Sequence, residues 1–207
     1  MTVLPTPPLL PSSLRLVLTD VVGAARVDQE AAAGSLAPPL AEAVAAELAA
    51  RVGLTWRRFG GGGDPPTQLA ALQAQAGPWL APLPGDPGAW LGPAGRWADL
   101  LGAFRQPTAL LVAGSSTDGG LAAATTALLE RAGVPLVGLI QWGGPWRADR
   151  RRAEGLPWLG WVNPQGHDPA LDPDDAATAG LARVLLLRWQ TLDQGEGQSG
   201  SVASRLS

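Results

Sequence analysis

The sequence predicts an α/β protein whose parallel sheet is covered by helices on both faces. Short apolar runs alternate along the chain with longer Ala- and Leu-rich segments at helical spacing. The clearest unit consists of two apolar runs, at residues 108–113 and 135–140, on either side of a helical segment at residues 121–132. A strand, a helix and a strand in this order form a parallel crossover, and runs this apolar suit a sheet buried on both faces.

The remaining elements are predicted from the same alternation and from helix-terminal residues. The last helix is expected to begin at Asp172, an N-cap residue followed by proline at the first helical position, and to run to about Trp189. Residues 54–59 are a possible strand that leads into an exposed glycine turn at residues 60–64. The other expected elements are strands at residues 14–18 and 157–162 and helices at residues 39–52, 66–74 and 96–104.

The length of 207 residues suits one compact domain with a single core. Residues 1–12 contain four prolines and are expected to form an extended lead-in. Residues 194–207 are rich in Gly, Ser and Gln and are expected to be disordered. The predicted domain therefore spans residues 13–193.

The composition excludes several classes of chemistry and of partner. All 15 basic side chains are arginines, and the chain has no cysteine, so a phosphate-loop lysine, a Schiff base and a thiolate nucleophile are all excluded. A net charge of -3 provides no basic field, so no nucleic-acid partner is expected. No apolar run reaches the roughly 18 to 20 residues of a membrane helix, and no secretion signal is evident. We therefore expect no membrane partner and a cytoplasmic location.

Three groups of aromatic or basic side chains stand out in the sequence. Four tryptophans at residues 142, 146, 158 and 161 are predicted to lie at or after the carboxyl ends of the last two strands, where they could line a pocket, form a dimer contact or pack in the core. Trp90 and Trp97 could form a flap or a partner surface, although loop anchoring is the favoured interpretation. The four arginines at residues 147 and 150–152 lie beside Asp149 and Glu154 and are predicted to form a solvated face.

A series of short segments in the C-terminal two-thirds follows a recognisable order between residues 74 and 162. Each segment is weak alone, but their order and spacing are moderately specific. The segments are Ala76-Gly77, Leu-Ala-Pro-Leu at residues 80–83, Ala-Asp-Leu at residues 98–100, Pro107 with the strand ending in Gly114-Ser115, residues 133–138 and residues 156–160.

This series resembles dethiobiotin synthetase, the ATP-dependent family that closes a ureido ring in biotin synthesis. The resemblance implies a phosphate-loop NTPase-like fold, a homodimer, and ATP with Mg²⁺ as cofactors. It also implies a substrate pocket and a nucleotide site in this chain. The pocket residues would be Gly77, Pro82, Leu83, Gly114 and Ser115, and the nucleotide-binding residues would be Arg26, Gln141, Trp142, Pro157, Leu159 and Gly160.

The sequence departs from that family at the residues that carry its chemistry. The segment at residues 19–27 stands where the phosphate loop belongs, but it has only one glycine, Gly23, and no lysine. Arg26 is a poor substitute, because a planar guanidinium does not fill the space of a compact ammonium between phosphates. The position that aligns with an acidic magnesium ligand is Ala74. We therefore expect no catalytic residue, no metal site and no resident cofactor.

Three interpretations of function remain open. The first is a catalytically silent dethiobiotin-synthetase-like protein that keeps a small-molecule or partner-binding role. The second is an active ATP-dependent ligase with a phosphate site built from arginines, in which Arg26 would lie at the phosphates. The third is an α/β protein-interaction module unrelated to biotin, and burial of Trp90, Trp142 and Trp146 would count against it.

Overall fold

The computed structural model describes residues 13–21, 40–60, 63–162 and 180–192. These residues form one six-stranded sheet in which every neighbouring pair of strands is parallel. The strand order across the sheet is β2-β3-β1-β4-β5-β6. In chain order the strands are β1 (Arg15–Asp20), β2 (Thr55–Trp56), β3 (Trp79–Pro82), β4 (Thr108–Ala113), β5 (Leu136–Trp142) and β6 (Trp158–Val162).

Helices connect the strands, as parallel pairing requires. Short 3₁₀ turns lie at Gly92–Ala94 and directly after β4 at Gly114–Ser116. The helices are α1 (Leu40–Val52), α2 (Pro65–Gln73), α3 (Trp97–Ala103), α4 (Leu121–Arg131), α5 (Ala148–Ala153) and α6, whose described part covers residues 180–192.

The core lies on both faces of the sheet because successive side chains of a strand point to opposite sides. Leu16 and Leu18 of β1 join a buried cluster with residues of α1 and α6 on one face. Val17, between them, packs on the other face with residues of α2, α3 and α4. A third cluster on that second face contains Leu110, Val112 and Leu139. The predicted α/β fold with helices on both faces is therefore confirmed.

Most element boundaries agree with the sequence-based expectation to within two residues, with three differences. The sequence does not predict β3 as a strand, because its residues enter only the resemblance to dethiobiotin synthetase. It also predicts no definite helix where α5 lies. Strand β2 contains two residues, not the six expected at residues 54–59. Arg26, the tail from residue 194 and the predicted helix start at Asp172 lie outside the described residues.

Candidate functional site

The strand order changes direction between β1 and β4, which are neighbours in the sheet. From β1 the chain fills one side of the sheet with β2 and β3, and from β4 it fills the other side with β5 and β6. In open α/β sheets the crevice at the carboxyl ends of two such strands is where ligands bind. The carboxyl edge of the sheet between β3 and β5 is therefore the candidate functional site.

Asp20 is the last residue of β1 and is 2 % exposed. The backbone N–H of Ala41, in the first turn of α1, donates to Asp20 Oδ2 over 3.3 Å. A carboxylate near the first turn of a helix is stabilised by the partial positive charge of the helix N-terminus. Asp20 therefore joins the candidate site to the start of α1.

The 3₁₀ turn after β4 presents small polar side chains at the same edge. The Thr117 hydroxyl donates to the carbonyl of Gly114 over 2.8 Å and closes this turn, while Ser115 is exposed. Asp118, just beyond the turn, forms a 2.9 Å ion pair with Arg150 of α5. The Ser115 hydroxyl is therefore available to a ligand.

The loops after β4 and β5 pack together through glycines. A Cβ atom added to Gly114 would lie 2.3 Å from the carbonyl oxygen of Gly143 and 2.9 Å from the Cα of Gly144. Both Gly143 and Gly144 have positive φ angles, which favour glycine. Only residues without side chains allow this approach, so the edge between β4 and β5 is closed by backbone packing.

A buried polar network fixes the loop after β5. Gln141 is fully buried, and its amide nitrogen donates to the carbonyls of Gly143 over 2.9 Å and Pro145 over 3.3 Å. Arg151 is 3 % exposed, and its Nε donates to Gln141 Oε1 over 3.3 Å. The Arg151 guanidinium forms an ion pair with Glu154 and lies 4.8 Å from the centre of the Trp158 ring.

This network contradicts the predicted exposure of Arg151 and bears on the predicted role of Gln141. Arg147, Arg150 and Arg152 are exposed as predicted, but the prediction was wrong for Arg151, which is buried between Glu154 and Trp158. Gln141 was predicted to offer an amide edge to a nucleotide base. Its amide hydrogen bonds are instead directed to the chain itself, and its side chain has no exposed surface.

The other described residues of the predicted nucleotide set lie at the end of β5, directly before β6 and on β6. Trp142 ends β5 and packs, partly buried, against the cluster with α1 and α6. Pro157 precedes β6, and its carbonyl accepts from the N–H of Leu139 over 2.9 Å. Leu159 is buried in the core, and Gly160 lies in the middle of β6 beside α6, close to Leu181. Arg26 lies outside the described residues.

The predicted substrate-pocket residues fall on two edges of the sheet. Pro82 ends β3 and Leu83 follows it, so both lie at the carboxyl edge with Gly114 and Ser115. Gly77 precedes β3 and therefore lies at the amino edge of the sheet. The length of the four-residue strand β3, about 13 Å, separates this edge from the carboxyl edge. Ala74, the C-cap of α2, also precedes β3. A carboxylate at either position would face away from the carboxyl edge.

The tryptophans differ in their positions and in their exposure. Trp158 is the first residue of β6, so the prediction that it lies at a carboxyl end was wrong; it contacts Trp146 edge to face, with ring centres 6.0 Å apart. Trp97 is buried in the core. Trp90 is 72 % exposed, whereas Trp142 and Trp146 are partly buried. The exposed aromatic surface therefore centres on Trp90 and not on the last strands.

Two residues of the site, Asp20 and Arg151, were not predicted from the sequence, and the reasons differ. Asp20 could have been found as a polar residue that ends a buried strand, which is the position of many ligand-binding side chains in parallel sheets. Arg151 carried no such sign, because its neighbours Arg150 and Arg152 have the same chemistry and are exposed. Its burial depends on Glu154 and Trp158, which only the folded chain brings to it.

No protein-family model matches the chain, and no curated protein matches it. Among the residues that the structure describes, no three His, Cys, Asp or Glu side chains form a group that could hold a metal ion. None of the helices within those residues has the length and apolar character needed to cross a membrane.

Proposed function

We propose that the protein is a catalytically silent, dethiobiotin-synthetase-like protein that binds a small molecule at the carboxyl edge of its sheet. The observation that carries the proposal is the change of direction in strand order between β1 and β4, beside Asp20 and the exposed Ser115. A crevice at this point of a parallel sheet is the usual ligand site of the fold class. The exposed hydroxyl would donate to a carboxylate or hydroxyl of the ligand.

The loss of catalysis follows from the chemistry that phosphoryl transfer requires. A transferred phosphoryl group needs positive charge at the β- and γ-phosphates and carboxylates that hold Mg²⁺. The chain contains no lysine. Gln141, the one amide available to recognise a base at the end of β5, is bound to Arg151 and to two backbone carbonyls. These features favour a binding role over a ligase.

The first test separates binding from catalysis. Purified protein is incubated with the diamine substrate of dethiobiotin synthetase, bicarbonate, ATP and Mg²⁺, with an active dethiobiotin synthetase as the positive control. We expect no ureido product above background and no Mg²⁺-dependent binding of ATP by calorimetry. Ring formation would refute the loss of catalysis and support an active ligase with an arginine-based phosphate site.

The second test locates the site, using the same diamine without ATP as the calorimetric probe. Ser115→Ala removes a hydroxyl at the carboxyl edge, and Ser13→Ala removes an exposed hydroxyl just before the amino end of β1. One neutral hydrogen bond contributes about 1 kcal/mol, so we expect Ser115→Ala to weaken binding about fivefold and Ser13→Ala to leave it unchanged. Equal affinities of the two variants would contradict the placement of the site.

A further inference from the structure

A concave region lies away from the candidate site, between the loop before α3 and one face of α4. It is an open cleft of about 620 Å³, a volume within the range of roughly 300 to 1,000 Å³ that small-molecule sites occupy. Its lining combines one indole ring, three charged side chains and a small apolar floor. The lining residues are Trp90, Arg96, Asp99, Ala124, Ala127, Leu128 and Arg131. We call this region the Trp90 cleft.

The loop that carries Trp90 is held by backbone hydrogen bonds. Trp90 and Arg96 face each other in an antiparallel bridge, and the N–H of Leu91 donates to the carbonyl of Gly95 over 2.7 Å. Leu91 and Ala94, within the same loop, pack against the core beside α3. The exposed indole therefore lies on a hairpin that is anchored to the core. This anchoring lowers the conformational entropy that the loop would lose when a ligand binds.

The charges of the cleft favour an anion. Arg96 and Arg131 contribute two guanidinium groups, against one carboxylate from Asp99. Asp99 Oδ2 already accepts a 2.9 Å hydrogen bond from the backbone N–H of Arg96. Within the described parts of the chain, neither guanidinium forms an ion pair. Both are therefore able to pair with a bound carboxylate or phosphate.

The apolar part of the cleft favours a planar ring. Ala124 and Ala127 expose methyl groups along α4, and Leu128 is half-buried beside them. An indole that is 72 % exposed offers a flat surface on which an aromatic ring can stack. We propose that the Trp90 cleft binds a small planar aromatic anion, with its ring on Trp90 and its acidic group between Arg96 and Arg131.

The test uses 2-naphthoate as the probe and 2-naphthamide as its neutral counterpart, with dissociation constants measured by calorimetry. We expect naphthoate to bind the full chain at roughly 1 mM or tighter, the range open to a ligand of this size. Arg131→Gln should weaken naphthoate binding about tenfold, and Trp90→Ala at least about fivefold. Naphthamide should bind more weakly than naphthoate and should be insensitive to Arg131→Gln.

A matched control tests whether the loss of naphthoate binding is specific to the Trp90 cleft. The double variant Leu187→Ala, Arg188→Gln removes an exposed apolar and an exposed basic side chain from α6, on the opposite face of the sheet. It should bind naphthoate like the unmodified chain, and urea unfolding should show that all variants remain folded. Equal binding of naphthoate and naphthamide, an equal loss in the control variant, or no saturable binding would each overturn the proposal.

Discussion

Gly114→Ala tests the packing that closes the carboxyl edge between β4 and β5. The new Cβ would lie 2.3 Å from the Gly143 carbonyl oxygen, whereas such contacts are not shorter than 3.0 Å, so the loops must separate by about 0.7 Å. Gly143 cannot move freely, because its N–H donates to Val162 over 2.8 Å and its carbonyl accepts from Gln141 over 2.9 Å. The substitution therefore strains or breaks hydrogen bonds in addition to overpacking the contact.

The expected cost follows from these two effects. Overpacking costs about 1 to 3 kcal/mol, and a weakened hydrogen bond adds up to about 1 kcal/mol. The lower unfolded-state entropy of alanine offsets about 0.4 to 1 kcal/mol. We expect a net loss of about 2 kcal/mol, which at a slope near 3 kcal/mol/M lowers the urea midpoint by about 0.7 M.

Gly119→Ala is the matched control in the same loop. A Cβ at Gly119 would have its nearest neighbour at 3.9 Å, an ordinary contact, so the variant should unfold at the same urea concentration as the unmodified chain or slightly higher. Tryptophan fluorescence and circular dichroism follow unfolding of both variants. If Gly114→Ala were as stable as Gly119→Ala, the argument that backbone contact closes this edge would be refuted.

Three further substitutions test the packing and hydrogen bonding of the core by the same urea measurement. Arg151→Met removes the donor to the fully buried Gln141 Oε1, whereas Glu154 keeps its ion pair with Arg150. We expect a cost of about 2 kcal/mol, and a loss under about 1 kcal/mol would contradict a structural role for the network. Thr19→Val removes a buried hydroxyl that has no hydrogen-bond partner among the described residues, and it should stabilise the protein by about 1 kcal/mol. A destabilised variant would show that the hydroxyl is bound. Gly102→Ala would place a Cβ 1.8 Å from the Ala132 carbonyl oxygen. The cost of overpacking should exceed the helix-propensity gain of about 1 kcal/mol, so the variant should be less stable. Unchanged stability would contradict the close packing of α3 against α4.

The sequence predicts strand β4 better than strand β3, because the signals that define a strand in a sequence are local. Strand β4 has an apolar run with Pro107 before it and Gly114 after it, so its limits could be predicted to the residue. Strand β3 is four residues long and ends in Pro82, and neither its length nor its composition is typical of a central strand. Its place between β2 and β1 depends on pairing with distant parts of the chain.

The candidate site was only partly predictable, because a short motif does not show which end of a strand it occupies. Gly77 and Pro82 are five residues apart in one predicted pocket, yet the intervening strand places them at opposite edges of the sheet. The exposed Ser115 follows a strand that the sequence defines well, so its position at the carboxyl edge follows from the limits of that strand. The edge of the sheet at which a residue lies can thus be predicted only when its strand is predicted.

The two halves of the carboxyl edge are built differently, and this limits where a ligand can bind. Beyond β4, the contact between Gly114 and Gly143 and the hydrogen bonds of the fully buried Gln141 fill the space between the β4 and β5 loops with protein atoms. Toward β3, the exposed Ser115 presents a hydroxyl at the change in strand direction, whereas Asp20 is buried and accepts a hydrogen bond from the start of α1. A ligand at this edge would therefore meet the ends of β1 and β4, and Gln141 would act on it only indirectly, by holding the loop that supports Gly114.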